Sequence, residues 1–142
     1  MKKTILSSLL ILFFLLFFSC TSEENAIKAV VNKYQNAINS NDKTAITELF
    51  ETSSKLGLEF AFAMLDAYRE QGISTTYSID VLEVKVNGNI AEAKLKTSVT
   101  YSGEDKETIV ALQMFTSSVV DTIMTFRKTN NVWKIVAEKS LD

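Results

Sequence analysis

Cys20 is the only cysteine in a chain of 142 residues, and it stands where an apolar leader gives way to an acidic segment. A lone thiol has no internal partner for a disulfide. What it offers is a single nucleophilic sulfur open to covalent attachment. The second group with chemical potential is Asp121, set among Val119, Val120 and Ile123. Facing inward, its carboxyl would be desolvated, its pKa raised, and it could serve as a general base. Facing outward, it is a solvated carboxylate at a sheet edge. The chain has no histidine, which excludes Ser-His-Asp and Cys-His catalysis and histidine-ligated metal sites. Gly57, Gly72, Gly88 and Gly103 are too widely spaced for a phosphate-cradling loop. No cofactor or metal is called for.

The leader explains Cys20. Lys2 and Lys3 precede an apolar run from Ile5 to Phe18, followed by Ser19 and Cys20. That run is shorter than the roughly 20 residues a membrane-spanning helix needs, and its charged flank lies only on the N-terminal side. The pattern is that of a secretory signal. Phe17-Phe18-Ser19-Cys20 resembles the lipobox of bacterial lipoproteins, in which a small residue precedes the lipidated cysteine, although Phe17 replaces the usual leucine and Phe18 is bulky. The resemblance implies a signal peptide over 1–19, a lipidated tether over 20–24 and one domain over 25–142. It also implies a place in the bacterial cell envelope, anchored to the outer membrane in its periplasmic or surface-facing leaflet. The anchor is the lipid, including palmitate-type acyl chains, on Cys20. Ser22-Glu23-Glu24 resembles export signals of surface lipoproteins in some Gram-negative groups, and equally reads as a solvated spacer.

Loss of Lys2 and Lys3 with the leader leaves 13 basic against 17 acidic residues. An acidic domain lacks the clustered Lys and Arg that phosphate backbones require, so nucleic acid is not an expected partner. The remaining residues suffice for one domain around one core.

Helices come first. Ala26, Ile27, Val30, Val31, Tyr34, Ala37 and Ile38 recur at helical spacing over 23–39, with Ser22 as a candidate cap. Ser40-Asn41-Asp42 breaks that helix, and Asp42 caps a short second one through Phe50. A third is predicted over 54–71, stopped by Gly72 and apolar on more than one side. From Ser74 the period changes to two. Ile79, Val81, Val84 and Val86 mark a strand in which Leu82 shifts the phase as a bulge would. Asn87-Gly88-Asn89 signals a hairpin. On the return strand Ala91, Ala93, Leu95, Thr97, Val99 and Tyr101 share a face. The stretch 107–115 fits either a strand extension or a short helix. Strands follow over 119–128 and 132–139, the last with Trp133, Ile135 and Ala137 on one face.

The expected class is therefore α+β, with three N-terminal helices packed on a curved antiparallel sheet of about four strands. Tyr34-Gln35-Asn36-Ala37-Ile38 before Asn41-Asp42, and Phe126-Arg127-Lys128 before Asn131-Val132-Trp133-Lys134-Ile135-Val136, resemble the first helix and final hairpin of the nuclear-transport-factor-2-like cone. That superfamily has a cystatin-like fold and includes ketosteroid isomerases and polyketide cyclases. The resemblance implies a pocket between sheet and helices, with Tyr34, Tyr77, Thr97, Tyr101, Thr125 and Trp133 as lining candidates and Asp121 as a weak catalytic one. Three functions follow as expectations. The first is a non-catalytic domain binding a small apolar ligand or an envelope protein. The second is an acid–base enzyme of isomerase or cyclase type using a buried Asp with Tyr donors. The third is a scaffold that forms a homodimer.

Overall fold

The computed structural model describes residues 22–54, 56–115 and 119–141. Cys20, the leader and the start of the expected tether lie outside the described residues. Residues 22–40 form helix α1, whose apolar positions bury Ile27, Val31 and Ala37. Residue 22 is already helical, so Ser22 lies within the helix rather than at the cap position expected for it. The helix ends at Asn41, which takes a left-handed φ of 54°, a conformation asparagine tolerates better than most residues. Asp42 then caps α2, Lys43–Leu49, its carboxylate accepting from the Ala45 N–H at 2.9 Å. After a single 3-10 turn, Thr52–Ser54, comes α3, Leu56–Glu70, closed by Gly72 at φ 70°.

Four antiparallel strands follow as a meander in the order β1-β2-β3-β4: Ser74–Asn87, Ile90–Ser102, Val119–Thr129 and Val132–Ser140. Between β2 and β3 the stretch that fitted two readings is a fourth helix, α4, Lys106–Phe115. Asp105 decides it: its carboxylate accepts from the N–H groups of Glu107 and Thr108 and from the Thr108 hydroxyl, satisfying donors that every helix start leaves open. The Thr108 side-chain and backbone hydrogen bonds hold the Asp105 carboxyl below its usual range.

The helices pack on one face of the sheet, and the core between them is built from Ile27, Val31, Ile46, Leu95, Met124, Phe126 and Ile135. Both sheet edges are covered in part. Along β1, Gln35 and Asn39, one helical turn apart on α1, replace a missing strand. Gln35 accepts from the Ile79 N–H at 2.6 Å, and Asn39 pairs with Tyr77 through both its amide groups at 2.8 and 2.9 Å. Along β4, Phe50 bridges Ile135 and Glu51 donates its N–H to the Ile135 carbonyl. At these positions the edge groups are satisfied and cannot template pairing with a second chain.

A candidate site in the tyrosine-lined cavity

Strand register decides which side chains face the helices. On β2 the inward set is Ala91, Ala93, Leu95, Thr97, Val99 and Tyr101, and pairing carries it to Thr75, Tyr77, Ile79 and Val81 on β1. Leu82 has no partner: Val81 pairs with Leu95 and Glu83 with Lys94. This bulge keeps Val84 and Val86 on the inner face and leaves Leu82 half-exposed. A second bulge lies between β3 and β4. Thr125 pairs with Ala137 but Phe126 pairs with Ile135, so Val136 is the extra residue. Beyond it the phase inverts. Ala137 does not share the face of Trp133 and Ile135, and Glu138, opposite the fully buried Met124, turns inward instead.

These registers and α1 and α3 enclose a cavity of about 260 Å³. Tyr34 of α1, Tyr68 of α3, Tyr77 of β1 and Tyr101 of β2 line it, with Ile38, Phe62 and Leu65 among the apolar remainder. Those four are all the tyrosines the chain has. Tyr68 and Tyr101 meet edge to face at 5.9 Å, and Tyr34 meets Phe50 likewise at 5.7 Å, geometries that aromatic quadrupoles favour. Burial pushes the Tyr34 phenol well above its ordinary pKa, and the nearby Glu138 charge and Tyr77 push the same way. Burial also raises Tyr77, with Tyr101, Tyr68 and Glu138 adding to it. Both therefore remain neutral hydroxyls across the physiological range. Glu138 is solvent-reachable, yet desolvation of its carboxyl raises its own pKa.

That shift has a consequence for stability. A carboxyl raised in the folded state makes the fold less stable as pH climbs from the unfolded value, about 4.3, through the folded one. Glu138→Gln is thus expected to raise the melting temperature at pH 7, with the gain vanishing toward pH 4. A melting temperature lowered at pH 7 would contradict the desolvation of this carboxyl.

Of the residues singled out in the sequence, Tyr34, Tyr77 and Tyr101 come together in the cavity. Thr97 shares the inner face but lies further along β2, its buried hydroxyl unpaired among the described residues. Thr125 and Asp121 face the other way. Each alternates with the inward Thr122, Met124 and Phe126, and Asp121 is half-exposed, 3.9 Å from the Lys94 ammonium. The inward orientation that a general base at Asp121 would need is absent. Trp133 points inward but at the opposite end of the sheet. It lines a more open furrow beside α1 and α2, with Lys33, Asp42 and Asn131, and donates its indole N–H to Glu23 at 2.7 Å. Lys128 binds the same carboxylate at 2.5 Å.

The Lys128 and Trp133 hydrogen bonds depress the Glu23 carboxyl. A depressed carboxyl contributes stability above the unfolded pKa, lost as pH falls through the folded one. Trp133→Phe is expected to move the onset of acid unfolding to higher pH. A melting-temperature profile superimposable on that of the wild type would contradict this.

No protein-family model matches the chain, and no curated protein matches it in sequence. Solved structures do resemble it. A nuclear-transport-factor-2-like protein with a cystatin-like fold from Novosphingobium aromaticivorans superposes with a TM-score of 0.66 at 16% identity, over 91% of this chain and 88% of that one. A protein with a cystatin-like fold from Nostoc punctiforme gives 0.61 at 13% identity, over 82% and 88%. A conserved protein from Planctomyces limnophilus gives 0.62 at 13% identity, over 83% and 94%. The chain thus has the cystatin-like fold of the nuclear-transport-factor-2-like proteins.

Proposed function

We propose that this is a lipid-anchored protein of the bacterial cell envelope whose domain holds a small, largely apolar ligand without transforming it. The observation that carries the ligand reading is the cavity itself, bounded by aromatic and aliphatic side chains with phenol groups in its wall. Concave, mainly apolar pockets with a few convergent polar groups are the usual form of small-molecule sites. At about 260 Å³ it falls just short of the roughly 300 Å³ where drug-sized pockets begin, so a compact ligand fits. The anchor rests on Cys20 and the leader, as the sequence reads them. The acid–base alternative loses Asp121. What favours it is a different carboxyl, Glu138, whose field reaches both Tyr34 and Tyr77.

Two measurements test the ligand reading. Native mass spectrometry of protein purified from envelope should show a co-purifying small molecule. The neutral fluorophore N-phenyl-1-naphthylamine should brighten on binding, and Ala61→Phe should weaken that binding at least tenfold. Ala61 lines the cavity yet is itself exposed, so the larger side chain can obstruct the cavity without disturbing the core. Equal binding by the variant would place the ligand elsewhere.

A further inference from the structure

We propose that the domain stands on the bilayer by its hairpin end, with Ile90 and Val132 meeting the lipid, and holds the tyrosine cavity away from the membrane. The inference goes beyond the ligand reading and rests on the lipid anchor proposed above. It starts from chain length. Thr21 alone separates Cys20 from Ser22, where α1 is already helical. Two residues of chain span at most about 7 Å, so a lipid on Cys20 keeps the first turn of α1 at the membrane surface. That turn is not free to swing away from the rest of the domain. Glu23 accepts the Trp133 indole N–H at 2.7 Å and the Lys128 ammonium at 2.5 Å, and both partners belong to the β3–β4 hairpin. Lys128 also donates its backbone N–H to the Asn89 carbonyl at 2.8 Å, which ties in the tip of the β1–β2 hairpin. The anchor therefore brings both hairpin tips to the lipid with it.

What the tips expose fits a lipid interface. Ile90 is 41% and Val132 52% exposed. Ile90 pairs with Arg127 and Arg127 with Lys134, two residues from Val132, so the two apolar side chains share the outer face of the sheet. They stand two strand spacings apart, about 10 Å. The cations that flank them are engaged within the protein: Lys85 with Glu83, Arg127 with Glu51 and Lys128 with Glu23. Anionic lipid is drawn by clusters of free Lys and Arg, so this end suits zwitterionic head groups. Two side chains are too little to hold a protein on a membrane, and their part is to orient one already anchored. The long elements then carry the cavity outward. Tyr34 lies twelve residues beyond Ser22, about 18 Å along the helix axis. Tyr101 lies at the far end of β2 from Ile90. The ligand thus reaches the cavity from the aqueous side.

Trp133 is the chain's single tryptophan, so its emission reports on the contact. Protein purified from envelope is reconstituted in phosphatidylcholine vesicles, with and without lipid bearing a TEMPO quencher on its head group. The quencher is expected to lower Trp133 emission at least twofold. Ile90→Ser/Val132→Ser should stay vesicle-bound and melt as the wild type does, with the quenching at least halved. Thr100→Cys provides the far reporter, because Thr100 is exposed near the other end of β2 and an acylated Cys20 leaves no competing thiol. A bimane label at position 100 should be unquenched. Unquenched Trp133 in vesicle-bound protein, quenching undiminished in the double variant, or a quenched bimane would each overturn the inference. The anchor reading fails separately, if the purified wild-type protein does not float with the vesicles.

Discussion

Phe126→Ala is expected to destabilise the domain by about 3–5 kcal/mol, the cost of removing a fully buried aromatic ring. Phe126 has no exposed surface. It sits inside β3 with Ala91 opposite it on β2 and Ile135 on β4, and the next inward residue, Met124, faces Ala93. Large residues on β3 thus stand against alanines on β2. That complementarity makes the site hard to repair, because Ala91 and Ala93 have no side-chain length with which to fill the space. The cavity term would add to the lost transfer energy in full. Domains of this size are stable by roughly 5–15 kcal/mol, so about a fifth or more of the total would disappear. With a urea dependence of about 1–3 kcal/mol per molar, the midpoint should fall by about 2 M. Far-ultraviolet circular dichroism and Trp133 fluorescence should report the same transition. Phe60, 72% exposed on α3, provides the contrast: Phe60→Ala should stay within about 0.5 kcal/mol of the wild type. A Phe126→Ala variant costing less than about 1 kcal/mol would contradict the register that places this ring at the centre.

Local signals made most of the fold legible. Asn41-Asp42, Gly72 and Asn87-Gly88-Asn89 each carry turn chemistry that holds whatever the rest of the chain does, and each marks an element end in the structure. The bulge at Leu82 was visible too, because an apolar residue interrupts a clean alternation of valines. Its counterpart at Val136 was not. There Trp133, Ile135 and Ala137 alternate without interruption, and the extra residue is forced by the partner strand, whose pairing with Phe126 and Thr125 skips Val136. Parity with Trp133, Ile135 and Ala137 would point Glu138 away from the helices, whereas pairing opposite Met124 turns it toward their side of the sheet, still exposed to solvent. Tyr68 was hidden differently. It lies on a helix apolar on several sides, and only the placement of α3 against β1 and β2 shows which side meets the cavity. The same placement leaves Phe60 and Met64 exposed, so α3 is buried on one side. Helix α4 was ambiguous because Glu107–Phe115 has no strong period, and Asp105 settles it through hydrogen bonds that a sequence pattern does not display. Long-range pairing, rather than local preference, carried the part of the site that composition and spacing could not.

Cys20→Ala is expected to abolish membrane attachment altogether, moving the protein from the membrane fraction to the soluble fraction of the envelope. If the thiol carries a diacylglyceryl group, the two chains contribute about 0.8 kcal/mol for each methylene buried in the bilayer, and two chains suffice for stable anchoring where one does not. Among the described residues no helix is long and apolar enough to cross a membrane, and the surplus of acidic over basic residues gives no attraction to anionic lipid. The readout is unusually clean because the chain has a single cysteine. A thioether-linked sulfur cannot react with maleimide, so denatured wild-type protein from the envelope should show no thiol at all, while unprocessed precursor should show one. The same wild-type protein should label with radioactive palmitate and Cys20→Ala should not. Among the described residues the core begins at Ile27, and the variant's domain is expected to melt as the wild type does, separating loss of the anchor from loss of the fold. A reactive thiol in the mature wild-type protein, or a Cys20→Ala variant that still labels and still sediments with membranes, would remove the anchor from the proposal and leave the tyrosine cavity to be judged on its own.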